Sequence, residues 1–234
     1  MILYVNGDSH TAAAEAVNAH AFAMDDGQLF YQGRAPHPEN LAVSWGRTLA
    51  DTAKAVFRCE AESASSNDRI LRTARAWIDA NPQDWYRTLM IIQWSTWERE
   101  EWLSNGKFYQ VNASGTDHVP QELQEQYRNY IIGLDWKAKT QDAHNMIWAF
   151  HNELKEKNIP HVFFNGNNDF SSIKEKKDWG ANYLGPYDPD QTFSATLTRN
   201  GHETVAPNSW HFGKQAHSFW ARFMLQYCID NKFL

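Results

Sequence analysis

Residues 1–11 read MILYVNGDSHT, an apolar run that stops at a glycine and is followed by small and polar residues. The run from Ile2 to Asn6 has the length and composition of a buried strand, and Gly7-Asp8 is typical of a tight turn. The alanine-rich stretch that follows predicts a helix directly after Ser9. We therefore expect Ser9 where a parallel strand ends and a helix begins, which is where open α/β sheets bind their ligands.

A serine at this position has the surroundings that a nucleophile needs. The N-terminus of a helix offers free backbone N–H groups and the positive end of a dipole, and both stabilise a developing oxyanion. A serine hydroxyl also needs a base that takes its proton. His211, in the stretch Asn208-Ser-Trp-His211 ahead of the last helical pattern, is the candidate base.

The composition limits the class of protein. The chain has 234 residues, of which 42% are hydrophobic and 21% charged, and this predicts one domain over residues 1–234. The net charge of −6 without a basic run argues against a nucleic-acid partner. We find no apolar stretch long enough for a membrane span and no signal peptide, so we expect no membrane partner. The expected location is cytoplasmic or virion-associated, unless the chain is a mature form whose leader has been removed. The oligomeric state stays open.

The cysteines and histidines do not predict a metal site. Cys59 and Cys228 are far apart and unpatterned, so we expect free thiols. No cluster of cysteine and histidine has zinc spacing, and we expect neither a metal nor a cofactor.

Short apolar runs alternate with helical patterns along the chain, which predicts a parallel sheet with helices on both faces. The expected strands are 2–6, 55–59, 88–93 and 161–165, with a fifth at 192–198. The expected helices are 41–53, 67–80, 121–157 with a bend at Gly133, and 213–231. Loops are expected at 103–120 and 165–189.

The Gly7-Asp8-Ser9 block, together with the late His211, resembles the SGNH (GDSL-type) hydrolase superfamily, in a divergent form of the kind found in tailed phages. The resemblance spans most of the chain. It implies an α/β fold of the three-layer flavodoxin-like type, with a central parallel sheet of about five strands. It also implies a serine esterase, an acyl hydrolase in which Ser9 is the nucleophile and His211 the base.

In that superfamily an aspartate three residues before the histidine orients the imidazole, whereas this chain has Asn208 there. An amide carbonyl can orient the ring, but it is neutral and stabilises the imidazolium less. Either the activity is modest, or another carboxylate takes over, or the site only binds. The carboxylates considered are Asp188, Asp190 and Glu203. His217 is expected to be structural.

The resemblance implies three oxyanion donors. The first is the backbone N–H of Ser9. The second is the N–H of Ala64, which stands where the family has a glycine. This backbone donor survives the change if φ is negative, whereas a position that needs positive φ would tolerate alanine poorly. The third is a hydroxyl from Ser95 or Thr96, near the position of the family's asparagine. The stretch 166–169 matches the family signature Gly-x-Asn-Asp but follows the fourth strand rather than the third, so we keep only Asn168 from it, as a pocket candidate.

Several polar and aromatic residues near the strand ends are expected to contact substrate: Asp8, His10, Asn67, Gln93, Trp94 and Trp210. Glu98 and Arg99 are expected to form an ion pair with each other. A polar mouth in a chain with 11 tryptophans favours a small-molecule or glycan ester over a lipid, and an O-acetylated carbohydrate in particular.

Two other functions compete with this hypothesis. A catalytically weak or inactive glycan-binding or virion-associated module would explain Asn208 and the altered third block. A flavodoxin-like nucleotide or flavin binder would share the fold, but the sequence contains neither G-x-G-x-x-G nor G-x-x-x-x-G-K-[ST].

Overall fold

The computed structural model describes residues 1–23, 34–113 and 119–234. Within these ranges the chain forms six strands and seven α-helices. In chain order they are β1 (Ile2–Asn6), α1 (Pro38–Ala42), α2 (Trp45–Thr52), β2 (Val56–Cys59), α3 (Asn67–Ala80), β3 (Thr88–Trp94), β4 (Glu100–Ser104), β5 (Lys107–Val111), α4 (Gln124–Ile132), α5 (Trp136–Glu156), β6 (His161–Asn165), α6 (Phe193–Arg199) and α7 (Lys214–Asp230).

Four strands form a parallel sheet in the order β2-β1-β3-β6. This is the strand order of flavodoxin-like doubly wound folds, in which the chain moves outward from a central first strand in both directions. The predicted α/β fold class is confirmed, and all four strands lie where the apolar runs predict them.

The fifth strand predicted at 192–198 is wrong, because these residues form α6. The Thr192 hydroxyl accepts the N–H of Ala195 and begins the helix as its N-cap. A single parallel bridge between Phe163 and Tyr183 lies beside β6, and the Leu184 N–H donates to the Phe163 carbonyl at 2.9 Å. The expected outer strand is thus reduced to one bridge in the described chain.

Alternate residues of each strand point to opposite faces of the sheet, and each face carries its own helices. On β1, Leu3 and Val5 pack with α2, α6 and α7, around the buried Trp45 and Trp220. Tyr4 points the other way and packs with residues of α3 and α5. The result is the three-layer arrangement expected from the sequence.

The hairpin β4–β5 lies in a stretch that was expected to be a loop. Its turn is Asn105-Gly106, and both residues have positive φ, at 50° and 73°. Asn-Gly between apolar runs is the strongest short-range signal for a two-residue hairpin, so this hairpin has a signature in the sequence. The hairpin packs against the α4 region through five buried residues: Trp102, Tyr109, Val111, Leu123 and Tyr127. Part of the predicted loop, 114–118, lies outside the described residues.

Helix predictions differ from the structure mainly at helix ends. The single helix expected at 41–53 is two, since Ser44 caps α2 by accepting the Arg47 N–H at 3.1 Å. Gly133 separates α4 from α5, as the predicted bend indicates. Both cysteines are free thiols, as predicted. None of the helices in the described ranges has the length and apolarity that a bilayer crossing requires.

Two histidines form a buried pair at the amino end of β6. The Nδ1 of His151 lies 2.9 Å from the Nε2 of His161, whose own Nδ1 lies 2.9 Å from the Ile159 carbonyl. The simplest proton arrangement makes each Nδ1–H a donor and leaves both rings neutral. Burial lowers the pKa of each histidine to about 4.

This pair predicts a loss of stability in mild acid. Below the ordinary histidine pKa of about 6.5 the unfolded chain takes up protons that the folded pair refuses, so the free energy of unfolding falls as pH falls from 6.5 towards 4, by about 1–3 kcal/mol. Urea unfolding at several pH values measures this fall. The variant H161Q should flatten it, whereas H20N, which changes an exposed histidine, should not. Equal pH dependence in H161Q and the wild type would contradict the assignment.

Candidate active site

The carboxyl ends of the four parallel strands bring four segments to one edge of the sheet. The pairs Val5–Cys59, Asn6–Ile92 and Trp94–Asn165 lie at these ends. The segments that follow are residues 7–15, 60–66, 95–99 and 166–168. They contain most of the residues that the sequence predicts for the site.

The chain turns sharply at Ser9 but does not form the predicted helix. The Asp8 carbonyl accepts the N–H of Ala12 at 2.9 Å, and turns continue to residue 15. Ala13 and Glu15 have φ of 55° and 62°, a left-handed conformation that interrupts a helix. Ser9 therefore has no helix dipole behind it. Its side chain is nearly buried, and its Oγ has no hydrogen-bond partner in the described residues.

Asp8 is an internal anchor rather than a substrate contact, so its predicted binding role is wrong. It is 1% exposed, and both carboxylate oxygens are occupied. Four groups donate to it: the His10 N–H, Gln93 Nε2, Ser95 Oγ and Arg99 Nη1. Burial alone would raise the pKa of Asp8, but the charges of His10 and Arg99 and these hydrogen bonds hold it below its ordinary value. The carboxylate is therefore ionised and fully used.

Gln93 is also structural, which corrects its prediction as a substrate contact. It is fully buried; its Nε2 donates to Asp8, and its Oε1 accepts both the N–H and the hydroxyl of Thr11. A Cβ added at Gly7 would lie 2.8 Å from Gln93 Oε1, and one added at Gly166 would lie 2.5 Å from Gln93 Nε2. The two glycines let three strand ends close around this amide.

His211 lies beside a carboxylate, and that carboxylate belongs to Glu15. The distance from His211 Nδ1 to Glu15 Oε2 is 3.0 Å. The Ser209 hydroxyl donates to the same oxygen at 2.8 Å and accepts a hydrogen bond from the backbone N–H of His211. The ring is not yet aligned for a linear Nδ1–H···O bond, and such bonds often tighten only when substrate is bound. Although burial opposes ionisation, the nearby His211 ring and the bond from the Ser209 hydroxyl hold the pKa of Glu15 below its ordinary value.

The predicted orienting role of Asn208 is therefore wrong. Asn208 is exposed, and its side chain makes no hydrogen bond in the described part of the chain. The other carboxylates considered do not replace it either, since Asp188 accepts from Gln191 and Asp190 pairs with Arg199. Glu203 has no described contact with His211. No sequence motif pointed to Glu15, because its position depends on the left-handed turn.

His10 connects the Ser9 turn to His211. Its ring lies 6.0 Å, centre to centre, from the His211 ring and 5.0 Å from that of Phe193. Asn167 Nδ2 lies 3.2 Å from its Nε2. Burial lowers the pKa of His10, although the neighbouring Asp8 carboxylate opposes this shift. The residue is 3% exposed and its Nδ1 has no partner in the described residues, so its predicted contact with substrate stays a prediction.

His217 is structural, as predicted. Its Nδ1 accepts the Trp45 N–H at 3.4 Å, and burial lowers its pKa to about 3.

The loop after β2 lies against the Ser9 turn, since the Glu62 N–H donates to the Gly7 carbonyl at 3.3 Å. Ala64 has φ of +64°, the conformation in which a glycine would be at ease. The Ala64 N–H makes no backbone hydrogen bond in the described residues. The resemblance implies a glycine at this position. Ala64 adopts a conformation that glycine accepts freely and that strains an alanine.

The third oxyanion donor is not supplied by the predicted hydroxyls. Ser95 Oγ donates to Asp8, and Thr96 Oγ1 donates to Glu98 at 3.0 Å, so both predictions are wrong. Asn67 is also occupied, because its side chain pairs with both backbone groups of Ser95. One N–H of its amide has no described partner, and the residue is 6% exposed, so its predicted substrate contact stays a prediction.

Arg99 pairs with Asp8 and not with Glu98, which corrects the expected local ion pair.

The two tryptophans that were predicted to contact substrate differ in their exposure. Trp94 is fully buried against Phe150 and Phe163, so its predicted substrate contact is wrong. Trp210 is 79% exposed beside His211 and stays a predicted contact. Asn168 is partly buried, with an unpartnered Oδ1.

No group of three or more histidine, cysteine, aspartate or glutamate side chains in the described ranges could hold a metal ion. Ser9, His211 and Glu15 supply a hydroxyl, an imidazole and a carboxylate at this edge of the sheet.

Two solved structures resemble this one. One is a lipolytic protein of the G-D-S-L family from Desulfitobacterium hafniense DCB-2, 13% identical, with 97% of this chain and 99% of that chain covered and a TM-score of 0.38. The other is an acetyl xylan esterase from the rumen bacterium Butyrivibrio proteoclasticus, 14% identical, with 98% of this chain covered and a TM-score of 0.45. This chain spans 63% of that esterase's length. No protein-family model and no curated protein matches the sequence. At these values the likenesses carry no conclusion about activity.

The left-handed conformation of Ala64 predicts that A64G stabilises the protein. A left-handed alanine costs about 1–2 kcal/mol, and the greater freedom of glycine in the unfolded chain offsets part of the gain, so we expect about 0.5–1 kcal/mol. Urea unfolding measures the change. As a control, A76G in the exposed middle of α3 should destabilise by about 1 kcal/mol. A loss of stability in A64G would contradict the strain assigned here.

Proposed function

We propose that this chain is a serine esterase of the SGNH type, with Ser9 as nucleophile, His211 as base and Glu15 as the carboxylate that orients His211. The observation that carries the proposal is the position of His211, which contacts both Glu15 and His10 of the turn that contains Ser9. Its Nδ1 faces Glu15 at 3.0 Å, and its ring packs on His10, the residue that follows Ser9. Acyl transfer requires a serine, a base and a carboxylate that orients the base. The contact of His211 with Glu15 and with the neighbour of Ser9 supports this assignment.

The proposed reaction has two halves. Ser9 Oγ attacks the ester carbonyl carbon while His211 Nε2 takes the hydroxyl proton, and the carbonyl oxygen becomes an oxyanion. Collapse of this intermediate expels the alcohol, which takes the proton from His211 and leaves an acyl group on Ser9. Water then repeats the sequence, releasing the acid and restoring the serine.

The proposed oxyanion donors are the backbone N–H groups of Ser9 and Ala64. Preorganised donors of this kind stabilise the charge that develops in the transition state. Glu15 stays ionised and compensates the positive charge that His211 acquires. A neutral amide at 208 could not do this, so the catalytic doubt raised by Asn208 does not apply to the arrangement proposed here.

We propose a small acyl ester on a carbohydrate, such as an O-acetyl group, as the substrate. Trp210 supports this, because an aromatic face exposed beside the base can pack on a sugar ring. A divergent tailed-phage relationship, virion association and a single domain over residues 1–234 stay predictions.

The first test is hydrolysis of p-nitrophenyl acetate. We expect S9A to lose at least about 10³-fold in kcat/KM, because the nucleophile is removed. S171A, which changes an exposed serine, should keep the wild-type rate. Equal rates in S9A and the wild type would exclude Ser9 as the nucleophile.

The second test separates Glu15 from Asn208. Replacing the ionised carboxylate in E15Q should lower kcat by about 10²–10⁴-fold, since the imidazolium loses its counter-charge. N208A should change kcat less than twofold, because the exposed Asn208 makes no described contact with His211. Steady-state kinetics on the same ester measures both variants. A large effect in N208A with a small one in E15Q would reverse the assignment.

A glycan-binding module without catalysis is the second candidate. It is favoured by one observation, the engagement of both Ser95 and Thr96 hydroxyls in other bonds, which leaves two oxyanion donors instead of three. Acetylated-glycan binding by a wild-type protein that hydrolyses neither aryl acetates nor that glycan would favour this candidate over the esterase.

A further inference from the structure

The loop that carries Ala64 is a tight turn from Glu62 to Ser65. The Glu62 carbonyl accepts the Ser65 N–H at 3.1 Å and the Ser65 hydroxyl at 2.7 Å. Ser63 and Ala64 are the central residues, and only Ala64 of the two has positive φ. Positive φ at the third position defines a type II turn, which normally requires glycine there.

A turn with Ser-Ala at its centre would ordinarily be of type I. The two turn types differ by a flip of the central peptide group, here the one that joins Ser63 to Ala64. In that flip the carbonyl of Ser63 and the N–H of Ala64 exchange sides together, because the peptide is planar and trans. The flip would bring Ala64 to a relaxed negative φ and turn its N–H to the opposite side.

A side chain from outside the loop bonds to this peptide. Gln110, on β5 and 6% exposed, donates from Nε2 to the Ser63 carbonyl at 3.1 Å. The same nitrogen lies 3.5 Å from Glu62 Oε1. Glu62 is itself fixed, since it is fully buried and paired with Arg69 at 2.8 Å. The hairpin β4–β5 therefore contacts the carbonyl of the Ser63–Ala64 peptide group, and the Ala64 N–H belongs to the same peptide group.

We propose that Gln110 is a positioning residue that holds the Ser63–Ala64 peptide in its strained orientation, so that the Ala64 N–H is presented as an oxyanion donor. The inference rests on the proposed function for the role of that N–H. The bond to the Ser63 carbonyl offsets the strain of a left-handed alanine, and without it the peptide flips to the type I turn.

A double-mutant cycle tests the coupling between Gln110 and the strain at Ala64. Q110L, which keeps the side-chain size and removes the donor, should lower kcat for p-nitrophenyl acetate by about 10–100-fold with KM little changed, as expected when transition-state stabilisation is lost. Affinity for a boronic acid that mimics the tetrahedral intermediate should fall by a similar factor. In the A64G background, where glycine accepts positive φ without strain, Q110L should lower kcat by less than about threefold.

Y127F is the matched control for general damage to the hairpin. It removes the bond from the Tyr127 hydroxyl to the Asn112 carbonyl, at the end of β5 and away from the loop. It should leave kcat within twofold. An equal loss of kcat in Q110L and Y127F, or an equal effect of Q110L in both backgrounds at position 64, would overturn the proposal.

A crystal structure of Q110L gives a readout that does not depend on activity. We expect φ of residue 64 to become negative, with the Ser63 carbonyl turned away from β5. If φ stays near +64°, the positioning role of Gln110 is wrong even if S9A is inactive. If the peptide flips but S9A is as active as the wild type, the turn mechanism stands and the proposed catalytic role of the loop fails.

Discussion

The hydrogen bonds to the buried carboxylate of Asp8 are the interactions on which the rest of the candidate site depends. It stands one residue before Ser9 and accepts four hydrogen bonds, three of them from side chains that follow or end β3. A buried ionised group needs such hydrogen bonds, because the loss of any of them would leave part of its desolvation cost uncompensated. This requirement fixes the ends of β1 and β3 relative to each other and sets the path of the Ser9 turn. Gly7 and Gly166 are small because the Gln93 amide must fit between them.

The fold could be predicted from sequence because burial on both faces leaves a strong signal. The strands β1, β2, β3 and β6 are short apolar runs between helical patterns, and this pattern gave the parallel sheet. The outer strand could not be found, since a single bridge at Tyr183 has no periodicity to detect. The helix predicted after Ser9 is absent from the structure. Alanines favour a helix, but Ala13 and Glu15 have positive φ, which helix propensity does not reveal.

Parts of the site were predictable and parts were not. Ser9 and His211 stood out because each follows a recognisable pattern, and Ala64 stood out as an alanine in the place of a glycine. Burial, in contrast, is invisible in a list of polar residues near strand ends. Asp8, Gln93 and Asn67 were expected to face a substrate, yet they bond to one another's segments inside the protein. Glu15 was missed because the segment that carries it was expected to be helical.

The short distance along the chain between Ser9 and Glu15 has a consequence for dynamics. Both lie on one segment of turns, which is held by the Asp8 carboxylate, by two bonds from Thr11 to Gln93 and by the burial of residues 8–14. A segment of turns can open locally without disrupting the hydrogen bonds of the sheet beneath it. An opening event here would withdraw the proposed nucleophile and the carboxylate of its base together, while His211 stayed with the segment that leads into α7. The proposed catalytic arrangement would therefore form and dissolve as one unit.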